Sequence, residues 1–171
     1  NEMESRILTN SDKEIDFQIY FIPIKFDGTP LFDTSAITRF GALFKNFKNL
    51  VYIPSINTSN GIGMSGMCEG CESLITIALI DTSKVGDISK MFKGCSSLKN
   101  VPLFNLSNCV TMDYAFQECI SLLSIPQFNT SSAIGMEYLF DGCKLLETIP
   151  ILNTSSCLNM TGFCSGCEKL N

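Results

Sequence analysis

The hydrophobic and polar positions of this chain repeat every 24 residues. Residues 112–131 show the pattern most clearly, with the sequence MDYAFQECISLLSIPQFNTS. At successive steps of 24, the position of Phe116 is occupied by Phe44, Cys68, Phe92, Phe116, Phe140 and Cys164. The positions three and six residues further on are also apolar in every unit, and the second of them is always Leu. A repeat of about 20 to 30 residues with regularly spaced apolar positions is typical of a solenoid, in which successive coils stack on one another.

Each unit contains two patterns that predict different secondary structures. Met112, Ala115, Phe116 and Cys119 stand at i, i+3, i+4 and i+7, and this spacing predicts a helix of about two turns. The same spacing recurs in residues 88–95 and 136–143, and a Gly before the Cys in several units suits a helix C-terminus. The segment that follows, ending at a proline such as Pro126, predicts a strand of only a few residues.

One polar position is flanked by apolar residues in every unit. Its occupants are Asn57, Asp81, Asn105, Asn129 and Asn153. We interpret this position as an internal ladder, in which each side chain bonds backbone groups of the adjoining coil. Most of these asparagines also satisfy the N-x-S/T acceptor pattern, but a glycan would not fit at an internal position, so we do not expect glycosylation.

These patterns predict an α/β fold with two parts. Residues 1–25 are expected to form a lead-in and a capping strand, because the run FQIYFIPIKF is apolar and rich in β-favouring residues. Residues 26–171 are expected to form about six coils of a solenoid, with short strands, short helices and no C-terminal cap. The chain starts without Met and stops inside a repeat, so we interpret it as a fragment or a processed piece.

Composition and charge exclude several functional classes. The formal net charge is -5 and the lysines are scattered singly, which removes the usual basis for nucleic-acid binding. No apolar run approaches the roughly 18 to 20 residues that a membrane span needs. Without His or a nucleophile motif, and with acids spread over different coils, we expect no enzymatic activity, no cofactor and no metal. A glycosidase built from two carboxylates is the alternative that these observations leave open.

Nine cysteines suggest metal or disulfide chemistry at first sight. Cys68 and Cys71 form one CxxC pair, and Cys164 and Cys167 form another. Four coils would separate the pairs by about 20 Å, so they cannot share one zinc ion. Because most of the cysteines occupy apolar repeat positions, we favour buried free thiols, with a local disulfide or a metal or redox role as the alternatives.

The pattern M-x-x-x-F-x-x-C-x-x-L-x-x-I-P-x-F-N-T-S resembles the BspA-like leucine-rich repeats, in the variant found in bacterial surface proteins. The resemblance covers residues 26–171. It implies a right-handed leucine-rich-repeat solenoid and an extracellular binding role, commonly adhesion to a host or partner macromolecule. Related repeats in phage-encoded proteins imply a tail or receptor-binding role instead. The family carries no catalytic residues.

We therefore expect a non-catalytic adhesion module that is secreted or displayed at a cell surface and binds a protein or glycan. The alternatives are a phage virion protein and an accessory domain of a larger enzyme. The candidate partner-binding residues are the variable positions of the strand segments, with an inward orientation of some of them as the alternative. They are Tyr52, Ser55, Thr76, Leu79, Asn100, Leu103, Ser124, Gln127, Thr148 and Ile151.

Overall fold

The computed structural model describes residues 33–171. Within this range two strands pair in parallel, β1 (Tyr52–Ile53) and β2 (Thr76–Ile77), with Tyr52 opposite Thr76 and Ile53 opposite Ile77. Single-residue parallel bridges join further positions that are 24 residues apart. They connect, in succession, Arg39, Gly63, Asp87, Thr111, Gly135 and Asn159. Each 24-residue unit therefore lies beside the units that precede and follow it in the sequence.

The predicted fold class, an α/β leucine-rich-repeat solenoid with short helices and strands in every coil, is wrong. Residues 33–171 contain no helix, and β1 and β2, of two residues each, are their only strands. The segments expected to be helical, such as residues 112–119, are chains of tight turns.

The hydrogen bonds of the backbone explain why a helix does not form. Along residues 114–119 the N–H groups alternate between a carbonyl of the same turn and a carbonyl of the next unit. Thus Tyr114, Phe116 and Glu118 donate to the next unit at 2.7–3.0 Å. The residues between them, Ala115, Gln117 and Cys119, donate three residues back, each at 3.1 Å. An α-helix would require all of these donors to bond four residues back within their own segment.

Two left-handed residues in each unit produce this alternation. Tyr114 has a φ of 62° and Glu118 a φ of 60°, and the equivalent positions in the other units are also left-handed. The Gly before the Cys, as at Gly94 (φ 73°), fills the second of these positions. Glycine adopts this conformation without steric cost, whereas a continuous right-handed helix excludes it.

The apolar repeat positions form one continuous core. Phe92, Phe116 and Phe140 are fully buried, and their rings stack with centroids 5.5 and 5.6 Å apart. The prediction that residues 24 apart become stacked neighbours is therefore confirmed for this column. The apolar spacing that predicted a helix still identified the inward side of each unit, because Met112, Ala115 and Cys119 are buried as well.

The internal polar ladder is made by threonine and not by asparagine. Thr58 and Thr82 are buried, and their hydroxyls donate to the carbonyl oxygens of Asp81 and Asn105 in the next unit at 2.8 and 2.9 Å. The side chain of Asn57, in contrast, is exposed and accepts the Ser59 N–H two residues further along its own chain at 3.1 Å. The interpretation of the Asn position as an internal ladder is wrong, since these side chains close local turns.

The lead-in and capping strand predicted for residues 1–25 lie outside the described residues. Residues 26–32, at the start of the predicted repeat region, lie outside them too.

Candidate functional site

In β1 the first side chain faces outward and the second faces inward. Tyr52 is 45% exposed, while Ile53 is fully buried. This alternation follows from strand geometry, in which successive side chains point to opposite faces. Beyond Pro54, Ser55 is exposed and Ile56 is buried. We call the outward side chains of residues 51–55 and of the equivalent residues in later units the strand-side face.

The strand-side face contains all ten predicted partner-binding residues, and none of them is buried. The alternative that some of them turn inward is therefore wrong. Thr76 is half-buried and the other nine are exposed. Thr76 lies opposite Tyr52 in the sheet, and its hydroxyl donates to the side-chain oxygen of Asn100 at 3.2 Å. The side-chain amide of Gln127 donates to the carbonyl oxygen of Ile151. Several polar side chains of this face thus bond to neighbouring units.

Aliphatic side chains make up much of the strand-side face. Leu79 and Leu103 occupy the same position of consecutive units and are 62% and 61% exposed. Val51, Ile75 and Leu123, at another position of the face, are 40–46% exposed. Lys99 occupies the same position in the unit between Ile75 and Leu123. Exposed apolar side chains grouped on one face of a protein commonly mark an interaction site.

Charged and polar groups lie next to this apolar surface. Lys48 donates to Glu72 in the following unit at 2.8 Å, and this bond raises the pKa of the Lys48 ammonium. Near the other end of the stack, Gln127, Phe128, Ile151 and Asn153 contribute to a shallow, open depression. The face therefore offers a broad surface and not a deep pocket.

The cysteine positions are mostly buried free thiols, as predicted. Cys71, Cys95, Cys119 and Cys143 are fully buried, and the thiol of Cys119 donates to the carbonyl oxygen of Phe92 at 3.1 Å. Burial raises the pKa of the Cys71 thiol to about 12. The two CxxC pairs differ, because Cys68 and Cys71 are buried, whereas Cys164 is exposed and Cys167 is half-buried. Burial of the second pair was predicted wrongly.

In the described part of the chain, no group of three or more His, Cys, Asp or Glu residues is arranged to hold a metal ion. Among residues 33–171 we also find no helix with the length and apolar character needed to cross a membrane.

The asparagines of the N-x-S/T pattern lie at the surface. Asn57, Asn105, Asn129 and Asn153 are all exposed. In Asn57, Asn105 and Asn153 the side-chain oxygen accepts both the N–H and the hydroxyl of the serine two residues on. We excluded a glycan because these side chains were expected to lie inside the protein. That reason is wrong, since they are exposed.

A second cluster of chemically distinct side chains was not predicted from the sequence. The rings of Tyr114 and Tyr138 stack with centroids 5.4 Å apart, and the ammonium groups of Lys90 and Lys93 lie 5.9 and 5.5 Å from the centroid of the Tyr114 ring. We call these four residues the Lys-Tyr cluster. Desolvation raises the pKa of the Tyr114 hydroxyl, and the carboxylate of Glu137 raises it further.

The Lys-Tyr cluster is built on strained backbone. Lys90, Tyr114 and Tyr138 have φ values of 57°, 62° and 50°, at a repeat position where Gly66 and Gly162 also occur. A left-handed conformation costs a residue with a side chain roughly 1–2 kcal/mol. Stacking of two rings contributes roughly 0.5–1.5 kcal/mol, and a cation–π contact about 0.5–1 kcal/mol at an exposed site. The sequence shows at this repeat position a small residue in three units and a large side chain in the other three, which by itself does not predict the stacking.

Comparison with known proteins identifies one family. The family model described as "Mycoplasma protein of unknown function, DUF285" matches residues 21–124 and 112–171. No curated protein and no solved structure matches the chain.

Proposed function

The chain belongs to the DUF285 family, which is grouped with the BspA-like repeats, and from this membership we propose that it is a non-catalytic binding module. In this proposal it adheres to a protein or glycan of a host or partner, as bacterial surface proteins with BspA-like repeats do. In this proposal the chain is secreted or displayed at a cell surface.

The observation that carries this proposal is the exposed aliphatic surface of the strand-side face. Leu79 and Leu103 would each bury substantial apolar area against a partner, and roughly 25 cal/mol is gained for each Å² of apolar surface removed from water. The pairing of β1 with β2 and backbone hydrogen bonds between later units hold the backbone of this face in a fixed arrangement. In these bonds the N–H groups of Ile75, Lys99, Leu123 and Glu147 donate to the carbonyl oxygen 24 residues earlier. A preorganised surface loses little conformational entropy when it binds, which favours affinity.

The test is a binding measurement with variants of the face. The purified chain is applied to a glycan array and to a panel of immobilised extracellular proteins, and saturable ligands are titrated by surface plasmon resonance. The triple variant Tyr52→Ala, Leu79→Ala and Leu103→Ala is expected to weaken binding at least tenfold, because it truncates three exposed side chains of the face.

The matched control is a second triple variant, in which three exposed apolar side chains outside the strand-side face are truncated. Ile62, Val110 and Ile134 are 49%, 39% and 44% exposed and lie outside the strand-side face. Their replacement by Ala is expected to leave affinity within twofold of the wild-type value. Equal binding by the triple variant and the wild type would show that the strand-side face is not the binding surface. Turnover of a bound glycan would refute the non-catalytic assignment.

A further inference from the structure

Three of the eight lysines in residues 33–171 form an ion pair with a neighbouring unit. Three ion pairs join a lysine to the glutamate 24 residues further on, at the same position of the next unit. They are Lys45 with Glu69 at 3.2 Å, Lys48 with Glu72 at 2.8 Å, and Lys144 with Glu168 at 2.9 Å. Stacking of units thus places opposite charges side by side.

Lys90 and Lys93 form no such pair, which they share with the three other unpaired lysines of the described residues, Lys84, Lys99 and Lys169. The residues 24 positions further on are Tyr114 and Gln117, neither of which carries a charge at neutral pH. Among the described residues neither lysine has a carboxylate within ion-pair distance, whereas Lys45, at the same repeat position as Lys93, does. Both ammonium groups lie within 6 Å of the centroid of the Tyr114 ring, and neither forms an ion pair within the described residues.

Stacking and cation–π contacts hold the side chains of the Lys-Tyr cluster in place, but they do not neutralise the positive charges of Lys90 and Lys93. Tyr114 is stacked on Tyr138, and the position of Tyr138 depends on Gly162, because a Cβ atom at residue 162 would overlap the Tyr138 ring. The rings therefore form a fixed support under the two ammonium groups. An anion that contacts both ammonium groups would reduce the repulsion between their like charges.

Three acids lie near the cluster. The carboxylate of one of them, Glu137, acts on the Tyr114 hydroxyl, whose pKa is raised by desolvation and further by this carboxylate. The other two are hydrogen-bonded to groups other than the lysines. Asp113 is engaged with the backbone, since its side-chain oxygen accepts the N–H of Glu137 at 2.7 Å. Asp141, two units beyond Lys93 at the same repeat position, accepts a hydrogen bond from the side-chain amide of Gln117 at 2.8 Å. Gln117 thus lies between Lys93 and the next carboxylate of that column.

We propose that Lys90 and Lys93, supported by Tyr114 and Tyr138, form a binding site for an oxyanion, the phosphate or sulfate group of an ester. Each ammonium group donates a charge-assisted hydrogen bond to a different oxygen of the anion. The cluster belongs to the turn segments of its units and not to the strand-side face, so the site is independent of the proposed adhesion surface.

The experiment titrates the complete chain with inorganic phosphate and, separately, with inorganic sulfate, and follows backbone amide shifts by NMR. The shifts of residues 90, 93 and 114 are expected to saturate with a dissociation constant in the millimolar range, as two charge-assisted hydrogen bonds at a surface allow. The double variant Lys90→Gln and Lys93→Gln is expected to weaken binding at least tenfold.

The control is the double variant Lys45→Gln and Lys48→Gln, which removes the same charge from lysines that are already ion-paired. It is expected to retain binding within twofold. An equal loss in both double variants would overturn the proposal, because net charge alone would then explain the effect. Equal shifts with sodium chloride at matched ionic strength would overturn it as well, since they indicate screening only.

A further comparison identifies the source of the ester. Glycerol 3-phosphate represents a soluble phosphate ester, and vesicles that contain phosphatidic acid represent a lipid headgroup. Binding of either that is lost in the Lys90→Gln and Lys93→Gln variant supports the site and names its source. Failure of all these anions to bind saturably would refute the site, and it would leave the adhesion assay on the strand-side face unaffected.

Discussion

Replacement of Gly94 by Ala tests, by the sign of the stability change, whether this residue is left-handed or lies in the interior of a helix. In an exposed helix interior, Gly→Ala stabilises by about 0.8–1 kcal/mol because Ala has the higher helix propensity. In the structure Gly94 has a φ of 73°, where a side chain is strained. The two arrangements therefore predict opposite effects of the same substitution.

The magnitude follows from the surroundings of Gly94. A Cβ atom there would meet the Cα atom of Gly70 at 3.7 Å, which is an ordinary contact, so the cost comes from the backbone alone. A left-handed residue with a side chain costs roughly 1–2 kcal/mol, and the reduced entropy of the unfolded chain returns about 0.4–1 kcal/mol. We expect Gly94→Ala to lower the free energy of unfolding by about 1 kcal/mol.

The matched control is Gly63→Ala. A Cβ atom added to Gly63 would have no atom within 4 Å other than those of its chain neighbours, and the φ of Gly63 is not left-handed. Other units hold Arg39, Asp87 and Thr111 at this position, so a side chain fits there. We expect this variant to be unchanged or more stable by up to about 1 kcal/mol.

The assay is urea unfolding of the wild type and both variants, followed by circular dichroism, with the midpoint and slope fitted together. A Gly94→Ala protein that is as stable as the Gly63→Ala protein, or more stable than the wild type, would refute the assignment of a left-handed residue to this position. Left-handed residues could then no longer explain why the units form turns and not helices.

Two further predictions concern the thiols. The native protein is alkylated with iodoacetamide, and the modified cysteines are identified by mass spectrometry. We expect Cys164 to be modified first and Cys157 and Cys167 more slowly, because these three cysteines are not fully buried. Rapid modification of Cys119 in the native protein would contradict the burial of its column. Burial also raises the pKa of the Cys109 thiol from 9.0 to about 12, so the unfolded chain releases this proton between pH 9 and pH 12 while the folded chain keeps it. The contribution to stability is thus fully present below pH 9 and is lost as pH rises towards 12, by up to about 1.4 kcal/mol per pH unit. Alanine already occupies the equivalent position of the next unit, at Ala133, so Cys109→Ala should be accommodated. This variant is expected to show a smaller slope of unfolding free energy against pH. An unchanged slope would show that the Cys109 thiol is not held neutral by burial.

The candidate site was predictable in part. The period placed the ten candidate residues at two outward positions of successive units, and the structure exposes nine of them and half-buries Thr76. Their role in binding stays a prediction. The Lys-Tyr cluster was not predictable in the same way, because nothing local in the sequence shows that Tyr114 and Tyr138 adopt a left-handed conformation and stack.

The sequence by itself determined which residues become neighbours. The chain has a strict 24-residue period with apolar residues at fixed positions, and one unit alone cannot bury its apolar side chains. The units therefore have to stack on one another to bury them. The column of Phe92, Phe116 and Phe140 could therefore be named from the sequence alone.

Only the tertiary structure decided how the backbone satisfies its hydrogen bonds. An apolar spacing of three and four residues is shared by a helix and by a chain of tight turns, so it cannot distinguish them. The outcome depends on acceptors 23 residues away, such as the carbonyl oxygen of Leu139 that receives the Phe116 N–H at 3.0 Å. The same non-local bonding placed threonine inside and asparagine outside, because the Thr82 hydroxyl reaches the next unit while the Asn57 side chain closes its own turn.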